Sequence, residues 1–181
     1  MTAPTLPEAP AATTAAGPRP LVVALDISLR STGIAGDGWT DHIRTTLRGD
    51  ARLDYLESTI KTFIRSADMI AMEGPSYGHG ALAGHEDLAG LRVAVRMYCH
   101  RHRIPYAVIP PSSLKLYVAD RGNATKGEVR SGVADKFGVH TEGTARYDEA
   151  DAYGVLAAAY DWLGHPLATL PERNREAVTV R

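Results

Sequence analysis

Asp26 closes the apolar run Leu21-Val22-Val23-Ala24-Leu25, and Glu73 closes Met69-Ile70-Ala71-Met72. A carboxylate at the end of a buried strand is costly unless it is paired or bound to a cation. Asp148-Glu149-Ala150-Asp151 adds more acids, of which Asp148 and Asp151 lie one helical turn apart and share a face while Glu149 points elsewhere. Singly, each acid has an ordinary explanation: Asp26 and Glu73 as turn caps, Asp148 and Glu149 as complements to the positive end of a helix dipole. Four acids arriving at one edge of a sheet repel one another and need a counter-charge. Hard oxygen donors with no supporting cysteine or histidine cluster suit magnesium or manganese rather than zinc. Carboxylates can hold two such ions about 3.5 to 4 Å apart, the arrangement used for phosphodiester displacement, so the implied substrate is a phosphate ester.

A basic complement lies between Leu91 and Lys136. Nine Lys or Arg and three acids give that segment a net charge of +6 within a chain whose total is -1, so the remainder carries -7. Such asymmetry is what an acidic metal site beside a polyanion-binding surface would show, and solvated helix faces would show it equally. Arg92 and Arg96 are four apart on one helical face. Lys126 sits just inside a loop-to-helix junction suited to phosphate, a solvent-facing lysine being the plainer reading. Tyr77, in a glycine-rich loop directly after Glu73, could stack on a base, wedge a junction or simply pack the loop. Lys115, Arg121 and Arg130 complete the candidate DNA-binding set.

These residues must be positioned by elements the pattern makes legible. Continuous apolar runs read as strands buried on both faces. They occur at Leu21 to Leu25, Met69 to Met72 and Tyr106 to Ile109, the last stopped by Pro110-Pro111. Ile34 to Gly36 and Trp39 to about Leu47, joined by the turn Asp37-Gly38, read as a hairpin. Apolar spacings of three and four over Leu53, Leu56, Ile60, Phe63 and Ile64 predict a helix from about 50 to 66. Further helices are expected from Glu86 to His102, through Val118 with a Ser112 or Ser113 cap, from a Thr125-to-Glu128 capping box to about Phe137, and from Tyr147 to Trp162. Strands and helices in this order predict an α/β domain of three layers, a central mixed sheet with helices on both faces, whose site lies at strand ends.

The 181 residues suit one such domain, expected over residues 21 to 164. Residues 1 to 20 hold five of the eleven prolines and only two charges, and read as a flexible lead-in; residues 165 to 181 read as a polar tail. No run approaches the roughly 18 apolar residues of a membrane span, and the lead-in lacks the basic start and apolar stretch of a secretory signal. The single cysteine, Cys99, excludes an intrachain disulfide and a cysteine-based zinc cluster, which fits a reducing, intracellular (cytoplasmic) setting.

Taken in order, the motifs resemble those of the RuvC-type Holliday junction resolvases, in particular their phage-like branch. Asp26-Ile27-Ser28-Leu29-Arg30-Ser31-Thr32-Gly33 is similar to the first acidic strand and turn of that family, and Ala71-Met72-Glu73-Gly74-Pro75 to the second. Ser113-Leu114-Lys115 with Ala124-Thr125-Lys126-Gly127-Glu128-Val129 resembles its basic segment, and Asp148-Glu149-Ala150-Asp151-Ala152-Tyr153 its final acidic helix. The likeness spans roughly residues 21 to 163. It implies a ribonuclease H-like fold and an Mg2+-dependent endonuclease that cuts four-way DNA junctions by paired symmetric nicks, leaving a 5′ phosphate and a 3′ hydroxyl. It further implies two metal ions, with Mn2+ able to substitute, held by Asp26, Glu73, Asp148 and Asp151; Lys126 at the scissile phosphate with Lys115 nearby; and a homodimer. Ser28 stands where many cellular members have glycine, and the stretch after Glu73 differs from the cellular junction-contact loop, which leaves sequence preference and the preferred branched substrate open.

Other readings compete. Asp-x-Ser followed by Thr-Gly also resembles the phosphate loop of sugar kinases and actin-like ATPases, but those need two lobes around the nucleotide and this chain has room for one. A non-catalytic junction-binding module would gain affinity by losing negative charge near the DNA backbone, and so has no use for four acids. A nuclease for forks, flaps or RNA is a further alternative.

Overall fold

A computed structural model describes residues 17 to 75 and 84 to 178; Tyr77 lies outside the described residues. The chain runs β1 (Val22–Asp26), β2 (Ser31–Gly36), β3 (Trp39–Arg44), α1 (Gly49–Ile64), β4 (Met69–Glu73), α2 (His85–His102), β5 (Tyr106–Ile109), α3 (Pro111–Ala119), α4 (Lys126–Phe137), α5 (Arg146–Trp162) and α6 (Glu172–Arg175). The five strands form one sheet in the order β3-β2-β1-β4-β5. β1 pairs antiparallel with β2 and parallel with β4, β2 pairs antiparallel with β3, and β4 pairs parallel with β5. This is the mixed sheet expected from the strand pattern, and β1 is buried at every position.

Alternation along the central strands divides the core into two layers. Val23, Leu25, Ile70 and Met72 face α1 and α2, meeting Leu56, Ile60, Leu91 and Val95. Val22, Ala24, Met69 and Ala71 face the other way, onto α3, α4 and α5 through Leu114, Val129, Leu156 and Tyr160. Small residues on this second face let α5 lie close to the sheet. All residues of α5 from Ala150 to Asp161 are buried, which explains why it shows no narrow apolar stripe.

Two local expectations change. α3 has neither Ser112 nor Ser113 as its cap: it starts at Pro111 after Pro110, with no side-chain cap bond. Proline at the first helical position has its φ preset and no N–H to satisfy, so a serine cap is unnecessary. β3 ends at Arg44, short of Leu47, which is exposed.

The segment after α5 docks more firmly than its polar composition suggests. Asn174 is fully buried, and its Nδ2 donates to the carbonyls of Leu116 and Tyr117 and to Asp120 Oδ1 at 2.7 to 3.0 Å. Arg175 donates to Asp161 Oδ1 at 2.8 Å, and Asp161 Oδ2 accepts from the Tyr117 hydroxyl. Asn174 thus ties α6 to the end of α3, beneath the loop that leads to Lys126. Asn174→Ala removes three hydrogen bonds at a buried position, but the Leu116 carbonyl keeps the Asp120 amide, the Tyr117 carbonyl keeps Lys136 and the exposed Asp120 keeps Lys136, so it should cost about 1 to 2 kcal/mol of stability, measured as a lower urea midpoint at unchanged m-value.

Candidate active site

The two strand-end acids come together through sheet register. β1 and β4 pair in parallel up to Leu25 opposite Met72, so Asp26 and Glu73 are the next residues on adjacent strands. Both continue the even-spaced set that faces α5. Asp26 is buried, and a side-chain hydrogen bond links its carboxyl to that of Glu73.

α5 brings the other two acids over this edge. Asp26 is opposite Gly33 on β2, and the backbone of Asp148 sits directly above Gly33. A Cβ at position 33 would run into the Asp148 carbonyl group, so glycine is required there for close approach and not for an unusual φ. Glu149 points away from the acids, as expected: its carboxylate accepts from Thr40 Oγ1 at 2.9 Å and lies 2.8 Å from His42 Nδ1. These contacts anchor the first turn of α5 to β3. No sequence pattern linked residues about a hundred positions apart, and only the fold discloses this anchor.

The turn after Asp26 is closed by its own hydroxyls. Ser28 Oγ accepts from the amides of Arg30 and Ser31, while Thr32 Oγ1 donates to the Ser28 carbonyl at 2.8 Å and accepts from the Ser28 amide. Serine at 28 therefore has a structural task in holding the chain as it leaves Asp26.

Lys126 reaches the same edge from the first position of α4. The Thr125–Glu128 capping box is present: Thr125 Oγ1 accepts from the Glu128 amide, and Glu128 Oε2 accepts from the Thr125 amide at 2.8 Å. This fixes where the lysine leaves the backbone. Lys126 Nζ is 3.4 Å from Asp148 Oδ1 and 3.5 Å from Asp151 Oδ2, with its side chain 60% exposed. It bridges the two helical acids from the solvent side.

Burial and mutual repulsion dominate the electrostatics. Loss of water raises Asp26 well above the usual carboxylate range, and Glu73 and Asp148 add to the effect while Lys126 opposes it. Glu73 is raised by burial and by Asp151, against the pull of its bond to Asp26 and of Arg92 and Lys126. Asp151 is pushed up to about 7, first by burial and then by Asp26. Burial pulls Lys126 down, but the charges of Asp151, Asp26 and Asp148 outweigh it, so the ammonium is held more firmly than in water.

A site in which three carboxyls are raised first by burial and then by one another, and whose donors are all hard oxygens, fits a divalent cation of the magnesium class in its chemistry. Among the described residues, however, no three His, Cys, Asp or Glu side chains form a ready-made ligand cage. Asp26 and Glu73 are instead hydrogen-bonded to each other.

The remaining candidates fall in different places. Arg92 and Arg96 line a cleft of about 240 Å3 beside Glu73, with His85 and Pro75 on its rim. Arg121 pairs with Glu128 at the capping box. Arg130 directs Nε and Nη2 onto the Thr141 carbonyl at 2.9 and 2.7 Å, tying α4 to the approach to α5. Lys115 is on α3, partly buried and apart from the carboxylates' ion pairs.

No protein-family model and no curated protein sequence matches the chain. Solved structures do. The Thermus thermophilus RuvC structure superposes with a TM-score of 0.60 at 20% identity, covering 80% of this chain and 97% of that one. T. thermophilus RuvC in complex with a Holliday junction substrate gives 0.58 at 20% identity, covering 81% and 97%. The yeast mitochondrial Holliday junction resolvase Ydc2 gives 0.50 at 12% identity, covering 88% and 80%. The sheet order, the helices on both faces and these superpositions together establish that the chain has the RuvC-like, ribonuclease H-like α/β fold.

Proposed function

We propose that this protein is a metal-dependent, structure-selective endodeoxyribonuclease that resolves four-way DNA junctions by paired symmetric nicks, as a homodimer, in DNA recombination or repair. The observation that carries the reading is the meeting of Asp26, Glu73, Asp148, Asp151 and Lys126 at one edge of a RuvC-like sheet. Support for the substrate comes from the solved relative seated on a Holliday junction. The ordered motifs favour the phage-like branch.

Asp26, Glu73, Asp148 and Asp151 would hold magnesium, with manganese as a substitute. Such ions, when bound, would supply Lewis acidity for a water nucleophile and charge stabilisation for a departing 3′ oxygen. Asp26 and Glu73, fixed by strand register, set the floor of the site, and both must be deprotonated to act as ligands. Asp148 and Asp151 supply the opposite wall, held by the Gly33 contact and the Glu149 anchor. Lys126 stands on the solvent side, where the scissile phosphate would approach, and offsets charge that grows on its oxygens. Arg92 and Arg96 extend positive charge along α2 from Glu73 for the flanking backbone.

Lys126→Ala should lower cleavage by about 100-fold, the usual scale for one preorganised charge at a developing anion. It should also move the pH profile toward higher pH. Lys126 lowers the pKa of Asp26, Glu73 and Asp151, and without it those carboxyls keep their protons longer. An unmoved profile would place the lysine outside the site.

The test of the whole reading is a synthetic mobile four-way junction, each strand end-labelled in turn, incubated with wild type and Glu73→Gln in magnesium, manganese or EDTA. Symmetric nicks that need metal and Glu73 are the expected result. Tight binding without nicks in either metal would replace it with a junction-binding module, and cleavage only of forks, flaps or RNA would change the substrate.

A further inference from the structure

A second charged surface lies outside the basic segment between Leu91 and Lys136. A groove of about 990 Å3 opens between the β1–β2 connection, the end of β3 and the first turns of α1. Arg30, Arg44, Arg48 and Arg52 line it, together with Thr45 and Tyr55, and no acid among the described residues does. The segment from Arg30 to Arg52 also carries Asp37, Asp41 and Asp50, so its formal charge is close to balanced and a count along the sequence hides the groove. Folding separates the signs: Asp37 pairs with Arg19, and the arginines converge.

The four guanidiniums are not equally committed. Arg52 pairs with Asp87 at 2.7 Å, and Arg44 donates to Thr144 Oγ1. Arg52 Nε is buried without a hydrogen-bond partner. Arg30 and Arg48 are exposed and have no ion pair among the described residues. Tyr55 is 39% exposed and Leu47 45% exposed beside them. Two free guanidiniums, a hydroxyl and an aromatic edge in an open trough are suited to a run of phosphates, not to one enclosed anion.

Its position says which phosphates. Arg30 is four residues beyond Asp26, so the two Cα atoms are at most about 14 Å apart. Arg44 is opposite Ser31, on the same edge of the sheet as the acids. Double-stranded DNA carries about one negative charge per 1.7 Å of axis. A duplex cut at Asp26 therefore presents several phosphates within that reach, and arginine binds phosphate geometry well. We infer that the Arg30–Arg44–Arg48–Arg52 groove is a second backbone-binding track that holds one duplex arm of the DNA substrate by its phosphates, on the opposite side of the carboxylates from Arg92 and Arg96. The inference rests on the nuclease reading given above.

Binding isotherms in EDTA over a salt series test it, using wild type, Arg30→Ala/Arg48→Ala and Arg30→Lys/Arg48→Lys on a four-way junction. Loss of two phosphate contacts should reduce the slope of log K against log salt by about 1.8 and weaken binding roughly tenfold at moderate salt. The lysine pair should keep most of the slope, because the charge remains. Wild type should also lose affinity when arms of about two helical turns are cut to about half a turn, and the alanine pair should respond little to that truncation. An unchanged slope in the alanine pair, or equal loss in the lysine pair, would overturn the track while leaving the nuclease reading standing, provided wild type binds and cleaves. Wild type that neither binds nor cleaves branched DNA would overturn the nuclease reading itself, and the track with it.

Discussion

Asp26→Asn should reduce divalent-cation-dependent cleavage of a four-way junction by about 1,000-fold and, in the same protein held in EDTA at pH 8, raise the melting temperature. The loss follows from removing one buried ligand, since cation stabilisation of a phosphoryl transition state is worth several kcal/mol, or about three powers of ten. The gain follows from the cost of the charge. Asp26 is 7% exposed and sits against Glu73, Asp148 and Asp151, with Lys126 in opposition. A neutral isostere relieves burial and repulsion together, worth about 2 kcal/mol. For a domain of this size that is a rise of roughly 4 to 8 °C.

The pH dependence has a definite sign. Asp26, Glu73 and Asp151 have folded pKa values above their ordinary values of 3.8, 4.5 and 3.8, with Asp151 reaching about 7. Between the ordinary and the raised value the folded state binds more protons than the unfolded one, so stability falls as pH rises. In EDTA the wild type should therefore be more stable at pH 5 than at pH 8, with Asp151 losing its contribution between about 4 and 7. Asp26→Asn should flatten that slope, and magnesium should restore wild-type stability at pH 8 by holding the ionised carboxylates. Full cleavage by the variant would remove Asp26 from the metal site, and a lower melting temperature at pH 8 would mean that its carboxyl is satisfied, not strained.

Gly33→Ala should be nearly as damaging, through geometry alone. Its Cβ would overlap the carbonyl of Asp148 and press on the Glu149 amide, both backbone, so no side chain can swing aside. α5 must lift from β2, which overpacking of this kind makes costly by about 3 kcal/mol. The first turn of α5 carries Asp148, with Asp151 one turn on, so both acids move relative to Asp26. A displacement near 1 Å in a site that works by alignment costs about 100-fold in rate. Gly90→Ala is the matching control: nothing lies within 4 Å of its Cβ position on α2, and alanine there should stabilise by about 0.5 to 1 kcal/mol through helix propensity. Cleavage by Gly33→Ala at the wild-type rate would show that α5 tolerates the shift.

Much of this molecule was legible along the chain. Apolar runs ending in Asp26 and Glu73 marked β1 and β4, the period of α1 marked its apolar stripe, and Thr125 with Glu128 marked the start of α4, because each signal is local and depends on neighbours within one turn or one strand. The shared face of Asp148 and Asp151, and the opposite course of Glu149, follow from helical spacing for the same reason. The α/β class with helices on both faces follows from their order.

Contacts between distant segments were decided only by the tertiary structure. Register placed Asp26 beside Glu73, and close packing of α5 on Gly33 set the distance to the helical acids. Arg130, basic along the sequence, is taken up by the Thr141 carbonyl, whereas Arg30 and Arg48, lost in a charge-balanced stretch, emerge together in one groove. The polar residues after α5 include Asn174, buried because three acceptors from α3 and its C-terminal cap surround it. Charge and polarity are read residue by residue, but burial and pairing belong to the neighbours that folding supplies, and those neighbours are set by long-range packing that no local pattern encodes.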